Sequence, residues 1–223
     1  LEKPIKNNQF DKVELTVQGM TSLTYNSKIS DSTAFSYAGT TLPTEGTTFT
    51  ATELGTGTSS AISFLSLSKG SGDIYGWRFE DTSGKLVAIT STYQFDLVID
   101  VSNTVFTPNN GTLATFTVDD GSTKIIFSLQ KVASVDYIDI DGLSVVQVDW
   151  SSGQTEISII RNIKAQVVIL IVNGSPIASI PVTNFTNIGN FVGAEITLPS
   201  AVEVLNFHIL SLTLNSSNTI YSK

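Results

Sequence analysis

The sequence predicts an all-β fold, a two-sheet antiparallel sandwich, from three observations. Val168, Leu170 and Val172 alternate with Val167, Ile169 and Ile171, so both faces of this strand are apolar and both must be covered. Asn173-Gly174 follows, a dipeptide that accepts positive φ and suits the tight turn of a hairpin, and Ile177, Ser179 and Pro181 lead away from it. The composition points the same way: only 14% of the 223 residues are charged, Ser, Thr, Asn and Gly abound, Val and Ile dominate the apolar set, and no long helical period appears. A sheet with such a hairpin at its heart needs a second sheet to keep one face dry.

In chain order, Asp11 to Gln18 places Val13, Leu15 and Val17 on one face and Lys12, Glu14 and Thr16 on the other, a half-buried strand near a sheet edge. Residues 19 to 58 are rich in Thr, Ser and Gly, with Tyr25, Phe35, Tyr37 and Phe49 available to pin loops or short strands. Ala61 to Leu67, Ile74 to Glu80 and Lys85 to Thr90 read as a β-meander with turns at Lys69–Asp73 and Thr82–Gly84. Tyr93 to Val101 alternates sharply, with Tyr93, Phe95, Leu97, Ile99 and Val101 on the core side. Leu113 to Val118 and Lys124 to Lys131 flank the turn Asp119-Asp120-Gly121-Ser122, and Asp139–Gly142 introduces a strand from Leu143 to Trp150. Val202 to Leu214 is a long strand whose alternation slips at Ile209-Leu210, which predicts a bulge.

One domain spanning residues 1–223 is expected, because a sandwich of this size commonly encloses one core and neither linker nor repeat interrupts the chain. The abrupt start, with no apolar leader, reads as a module of a larger protein. A net charge of -8 repels phosphate backbones and anionic bilayers, so no nucleic acid is expected as a partner. The longest apolar run is far too short to span a bilayer, which argues against membrane insertion. Without cysteine, disulfides, thiolate catalysis and Cys-ligated zinc are all excluded.

The segments WSSGQTEISIIRN, QVVILIVNGSPIASIPV, FTNIGNF and EVLNFHILSLTL, in that order, resemble the C-terminal half of concanavalin A-like jelly rolls, including laminin-G-like and related carbohydrate-binding domains. IYGWRFEDTSGKLVAIT resembles their early strand pair, so the resemblance runs from Ala61 to Leu214. It implies two curved antiparallel sheets, neighbouring N- and C-terminal strands, and a concave face or end loops of the kind that bind glycans. Similar modules occur in phage tail and baseplate proteins that hold host wall polysaccharide. The chain departs from the calcium-dependent members in lacking their aspartate/asparagine cluster.

Candidate ligand-binding residues follow from the chemistry of sugars, whose C–H faces stack on flat rings while their hydroxyls need carboxylate, amide or guanidinium partners. Tyr75 and Trp77 share one strand face, and Arg78 and Glu80 the other. Trp150 stands at a strand end, Tyr93 at a strand start, and Gln94, Asp96 and Asp100 form a polar stripe behind Tyr93. His208, the sole histidine, is read as structural or as a hydrogen-bonding groove residue. No G-x-S-x-G elbow and no E-x-D-x-x-E strand is present, so no catalytic residue is assigned. No cofactor is expected; calcium is the one alternative, on Asp119-Asp120 or on Asp136, Asp139 and Asp141.

The function expected is a non-catalytic carbohydrate-binding module, extracellular on a virion or cell surface, that attaches a phage tail or cell-surface protein to a saccharide or cell-wall polysaccharide. Other domains of a parent protein would be its covalent partners. A structural or protein-interaction sandwich of a virion or adhesin is the first alternative, and a divergent glycanase the second.

Overall fold

The computed structural model describes residues 12–15, 23–26, 32–43, 49–82, 92–162, 165–187 and 189–217. Its strands are β1 (Lys12–Leu15), β2 (Leu23–Asn26), β3 (Ser32–Tyr37), β4 (Phe49–Gly55), β5 (Thr58–Ala61), β6 (Leu65–Lys69), β7 (Tyr75–Asp81), β8 (Thr92–Asp100) and β9 (Val105–Thr107). They continue as β10 (Gly111–Asp120), β11 (Lys124–Val132), β12 (Val135–Ile140), β13 (Ser144–Gln147), β14 (Gln154–Asn162), β15 (Val167–Val172), β16 (Ser175–Pro181), β17 (Val192–Leu198) and β18 (Glu203–Ser217). β1 and β2 pair with each other. The rest form two antiparallel sheets, one of seven strands in the order β13-β12-β11-β10-β17-β7-β4 and one of nine in the order β16-β15-β14-β8-β18-β6-β5, with β3 and β9 also paired to β18. This is the jelly-roll sandwich the sequence predicts.

The shared interior is built by period-two alternation. Tyr75 and Phe79 on β7, Phe116 on β10, Phe127 and Leu129 on β11 and Ile196 on β17 face Leu65, Leu67, Phe95, Leu97, Ile159, Phe207 and Leu212 of the other sheet, all fully buried. Phe116 and Phe127 stack at 4.9 Å between ring centroids. β15 is buried along its whole length. Val168, Leu170 and Val172 join the main core, while Val167, Ile169 and Ile171 form a second cluster with Ile160 on the opposite face of the sheet. The turn after β15 holds Asn173 at φ 48° and Gly174 at φ 76°, the left-handed pair that a two-residue hairpin requires. The predicted slip in the last strand is present, as a register shift between Ile209 and Ser211 where β18 meets β8.

Three expectations need correction. Ala61 to Leu67 is not one strand: the chain bends at residues 62–64, leaving Ile62 90% exposed, and β6 begins only at Leu65. β6 and β7 form no meander, because β6 pairs with β18 in the nine-stranded sheet and β7 with β17 and β4 in the seven-stranded one. Both present inward apolar faces, so alternation alone does not reveal that the turn between them crosses from one sheet to the other. Leu143 to Trp150 holds only the short β13, and Asp139 and Ile140, read as the start of the turn before it, belong to β12. The strand expected over Lys85 to Thr90 lies outside the described residues.

Candidate functional site

The four aromatic candidates lie in the interior. Tyr75 and Tyr93 are fully buried, Trp150 is 1% exposed and Trp77 8%. Tyr75 donates its hydroxyl to Glu53 Oε1 at 2.7 Å, and burial pushes its phenol up to about 12. Tyr93 lies beneath the Arg161 guanidinium, 5.9 Å from its ring centroid. Trp150 Nε1 donates to the Tyr137 carbonyl at 2.9 Å. Stacking on a sugar needs an open ring face, so the stacking expected of Trp77, Tyr75, Tyr93 and Trp150 on an outer face is corrected. Tyr75, Trp77 and Tyr93 follow the inward parity of their strands, as Phe79 and Phe95 do, and Trp150 is buried from the segment after β13.

The polar candidates divide between the two outer faces and do not meet. Arg78 and Glu80 project from β7 on the outside of the seven-stranded sheet. Arg78 Nη2 and Nε lie 2.7 and 2.8 Å from Glu195 Oε2, Nη1 lies 3.8 Å from Glu80 Oε1, and the guanidinium caps the Phe191 ring at 4.7 Å. Gln94 and Asp96 project from β8 away from the core of the sandwich, but Gln94 is 1% exposed, so the ligand contact expected of it is corrected. Asp96 Oδ1 accepts Gln94 Nε2 at 2.7 Å and Ser158 Oγ at 2.5 Å. His208 shares that sheet, paired in register with Asp100 and stacked on Phe64 at 4.1 Å. The sandwich therefore separates Arg78 and Glu80 from Gln94, Asp96 and His208, so these candidates do not form one site.

Burial lowers the His208 pKa below its usual 6.5, with Asp100 opposing. The folded state then binds fewer protons than the unfolded one as pH falls through 6.5, so this contribution to stability is complete above 6.5 and declines below it. His208→Gln is expected to flatten the dependence of urea midpoint on pH across that window and to leave it unchanged above pH 7.5.

The carboxylates considered for calcium do not converge. Asp119 accepts the Gly121 amide at 2.8 Å on Oδ1 and the Asn190 amide at 2.8 Å on Oδ2. Asp120 Oδ1 accepts the Ser122 and Thr123 amides at 2.9 and 2.7 Å, and its Oδ2 meets Arg161 Nη1 at 2.8 Å. Asp136 faces inward, Asp139 outward, and Asp141 accepts Asn187 Nδ2 on both oxygens. Among the described residues no three His, Asp or Glu side chains form a group that could hold a metal ion. Asp119, Asp120 and Asp139 close turns, and Asp136 pairs with Lys131.

The outside of the seven-stranded sheet assembles a surface that the sequence reading missed. Gln130, Tyr137 and Gln147 lie in one lateral row, and Ser128, Asp139 and Val145 in the next. Gln130 Nε2 donates to Asp139 Oδ2 at 3.0 Å, and Asp139 Oδ1 accepts the Gly142 amide at 2.9 Å. Farther across, Thr117 pairs with Glu195, which pairs with Arg78. A half-buried phenol amid amides, a carboxylate and hydroxyls can cover a sugar ring and bond its edge. The signal was present in Val135–Ile140, where Asp136, Ile138 and Ile140 alternate with Val135, Tyr137 and Asp139. An aspartate at an inward position hid it.

Two clefts lie elsewhere among the described residues. One, of about 430 Å³, is lined by Thr56, Gly57, Thr58, Ser68, Lys69, Gly70, Ser71, Asp73 and Leu205. Lys69 Nζ there donates to the Val202 carbonyl at 2.5 Å and the Pro199 carbonyl at 2.8 Å. The other, of about 330 Å³, is lined by Val101, Thr104, Val105, Phe106, Asn109, Leu113, Lys131, Trp150 and Ser151.

No protein-family model matches the chain, and no curated protein matches its sequence. Among solved structures, the fold is similar to lectin II from Ulex europaeus, with a TM-score of 0.56 and 14% identity, covering 84% of this chain and 99% of that one. It is similar to a carbohydrate esterase from the Shiga toxin-encoding bacteriophage phi24B, with a TM-score of 0.57 and 13% identity, covering 84% and 99%. Peanut lectin is also similar, with a TM-score of 0.55 and 10% identity, covering 82% and 96%. The architecture is thus the concanavalin A-like, lectin-type jelly roll.

Proposed function

We propose that this chain is a non-catalytic carbohydrate-binding module of a phage tail or cell-surface protein, and that it holds a polysaccharide such as a host wall glycan on the outside of its seven-stranded sheet. The observation that carries the reading is the row of Gln130, Tyr137 and Gln147 beside Ser128 and Asp139. Its hydrogen-bonding groups are held in place by the sheet and by one another, so little side-chain entropy is lost on binding. Arg78 and Glu80 extend the polar surface along the same face. The solved structures of like fold include lectins and a phage carbohydrate esterase, names that fit a sugar ligand.

The net charge of -8 favours a neutral ligand over nucleic acid. Among the described residues no helix is long and apolar enough to cross a membrane. Glu80 and Glu195 share this face, but Arg78 sits between them and occupies the place a scissile bond would take. A non-catalytic module fits that arrangement. Weak affinity becomes useful when many copies sit on one virion or cell.

A titration against bacterial wall polysaccharides chosen from a glycan array tests the reading. Saturable binding is expected, weakened about tenfold by Tyr137→Ala through lost stacking. Binding indifferent to Tyr137→Ala, Gln130→Ala and Arg78→Ala would remove the ligand from this face. A second reading, a protein-binding sandwich, draws on Val105 and Leu205, apolar residues that pair across β9 and β18 and are 56% and 41% exposed. Absence of glycan binding together with concentration-dependent self-association in light scattering would favour it.

A further inference from the structure

We propose that Asn110 is a site of spontaneous covalent modification, converted by its own backbone to aspartate and isoaspartate, and that the fold holds the chain's other Asn-Gly pair, Asn173-Gly174, back from the same reaction. The reaction needs no ligand and stands apart from the carbohydrate-binding reading.

The chemistry is set by the dipeptide. The Gly111 amide nitrogen attacks the Asn110 side-chain carbonyl carbon, an N–C bond forms, the bond to the side-chain nitrogen breaks, and ammonia leaves with the amide proton. Water then adds to either carbonyl of the five-membered succinimide and breaks one of its C–N bonds, giving aspartate or isoaspartate. Nothing is oxidised or reduced, and solvent is the one co-reactant. Glycine obstructs the ring closure least, because it has no side chain beside the attacking nitrogen. Gly111 and Gly174 both have open space where a Cβ would stand, so crowding does not separate the two pairs.

Local backbone structure separates them. Ring closure requires the glycine nitrogen to swing to the side of its neighbour's Cβ. Asn173 is fixed at φ 48° in the β15–β16 turn, and in that left-handed conformation the following nitrogen points away from the side chain. Its Oδ1 accepts the Glu156 amide and its own N–H donates to the Glu156 carbonyl, both at 2.9 Å. These bonds must open and the turn must unwind before Gly174 can attack. Asn110 is exposed, precedes β10 rather than closing a two-residue hairpin, and lies outside the left-handed region. Among the described residues its side chain has one hydrogen bond, a long one of 3.4 Å from the Ala133 amide. Opening two hydrogen bonds makes Asn173 at least about tenfold slower than Asn110. The product carries a new carboxylate beside Asn109, at the rim of the 330 Å³ cleft. Isoaspartate also adds a methylene to the main chain just ahead of Gly111, which pairs with Lys131.

The test is peptide mapping by mass spectrometry after incubating the full chain in mildly alkaline heavy-oxygen water, folded and in concentrated urea. In urea the two sites are expected to react at similar rates. In the folded chain Asn110 is expected to keep most of that rate and Asn173 to fall at least about tenfold below it, with the isoaspartate product read by an isoaspartyl methyltransferase. Asn110→Gln is expected to remove the fast product and leave the slow one at Asn173. A folded chain in which Asn173 reacts as fast as Asn110 overturns the proposal. So does a folded chain in which Asn110 stays intact, whether or not it reacts in urea.

Discussion

Arg161→Met is expected to lower stability by about 3–5 kcal/mol in urea denaturation, one of the two largest single-residue losses predicted here. Arg161 and Asp120 are both buried, with Nη1 2.8 Å from Oδ2. Asp120 is also the acceptor that shapes the β10–β11 turn, through the Ser122 and Thr123 amides. Removing the guanidinium leaves a carboxylate in the interior without its counter-charge, and desolvation of that lone charge dominates the loss. Asp120→Asn on top of Arg161→Met is expected to recover part of it, since the amide oxygen still accepts the turn N–H groups and no charge remains. A double-mutant cycle measures this; additive losses would show that the pair is not coupled.

Trp150→Ala is expected to cost a similar amount, about 3–5 kcal/mol, by opening a cavity between the sheets and freeing the Tyr137 carbonyl of its partner. Trp150→Ala thus reads core packing before it reads ligand binding. Denaturation midpoints compared with sugar affinities separate the two effects. A Trp150→Ala protein with unchanged stability would contradict the burial of the indole.

The local half of this fold was legible because its signals are local. β15, its Asn173-Gly174 turn and β16 are specified by an apolar run and a left-handed dipeptide, and the bulge in β18 by a slip in alternation. Alternation also separated Tyr75 and Trp77 from Arg78 and Glu80 correctly. It does not say which side is water: an aromatic face can be a platform or a core, and only the second sheet decides. For the same reason Arg78 and Gln94 looked equally outward, while the assignment of β7 and β8 to different sheets sends them in opposite directions. β12 was obscured by Asp136, whose inward placement makes sense only once Lys131 and the Ser151 amide stand beside it. The Tyr137 surface depends on three strands brought side by side, a juxtaposition no short window of sequence contains.

β18 joins β3, β6, β8 and β9. During synthesis, every one of those partners leaves the ribosome before residues 203–217 do, so the nine-stranded sheet lacks its middle until β18 emerges. Closure of the sandwich must then wait for β18, and until it arrives the edges of β6 and β8 are open to strands of other nascent chains. High-level expression is expected to be limited by aggregation at that stage, and slower synthesis at lower temperature is the condition that relieves it.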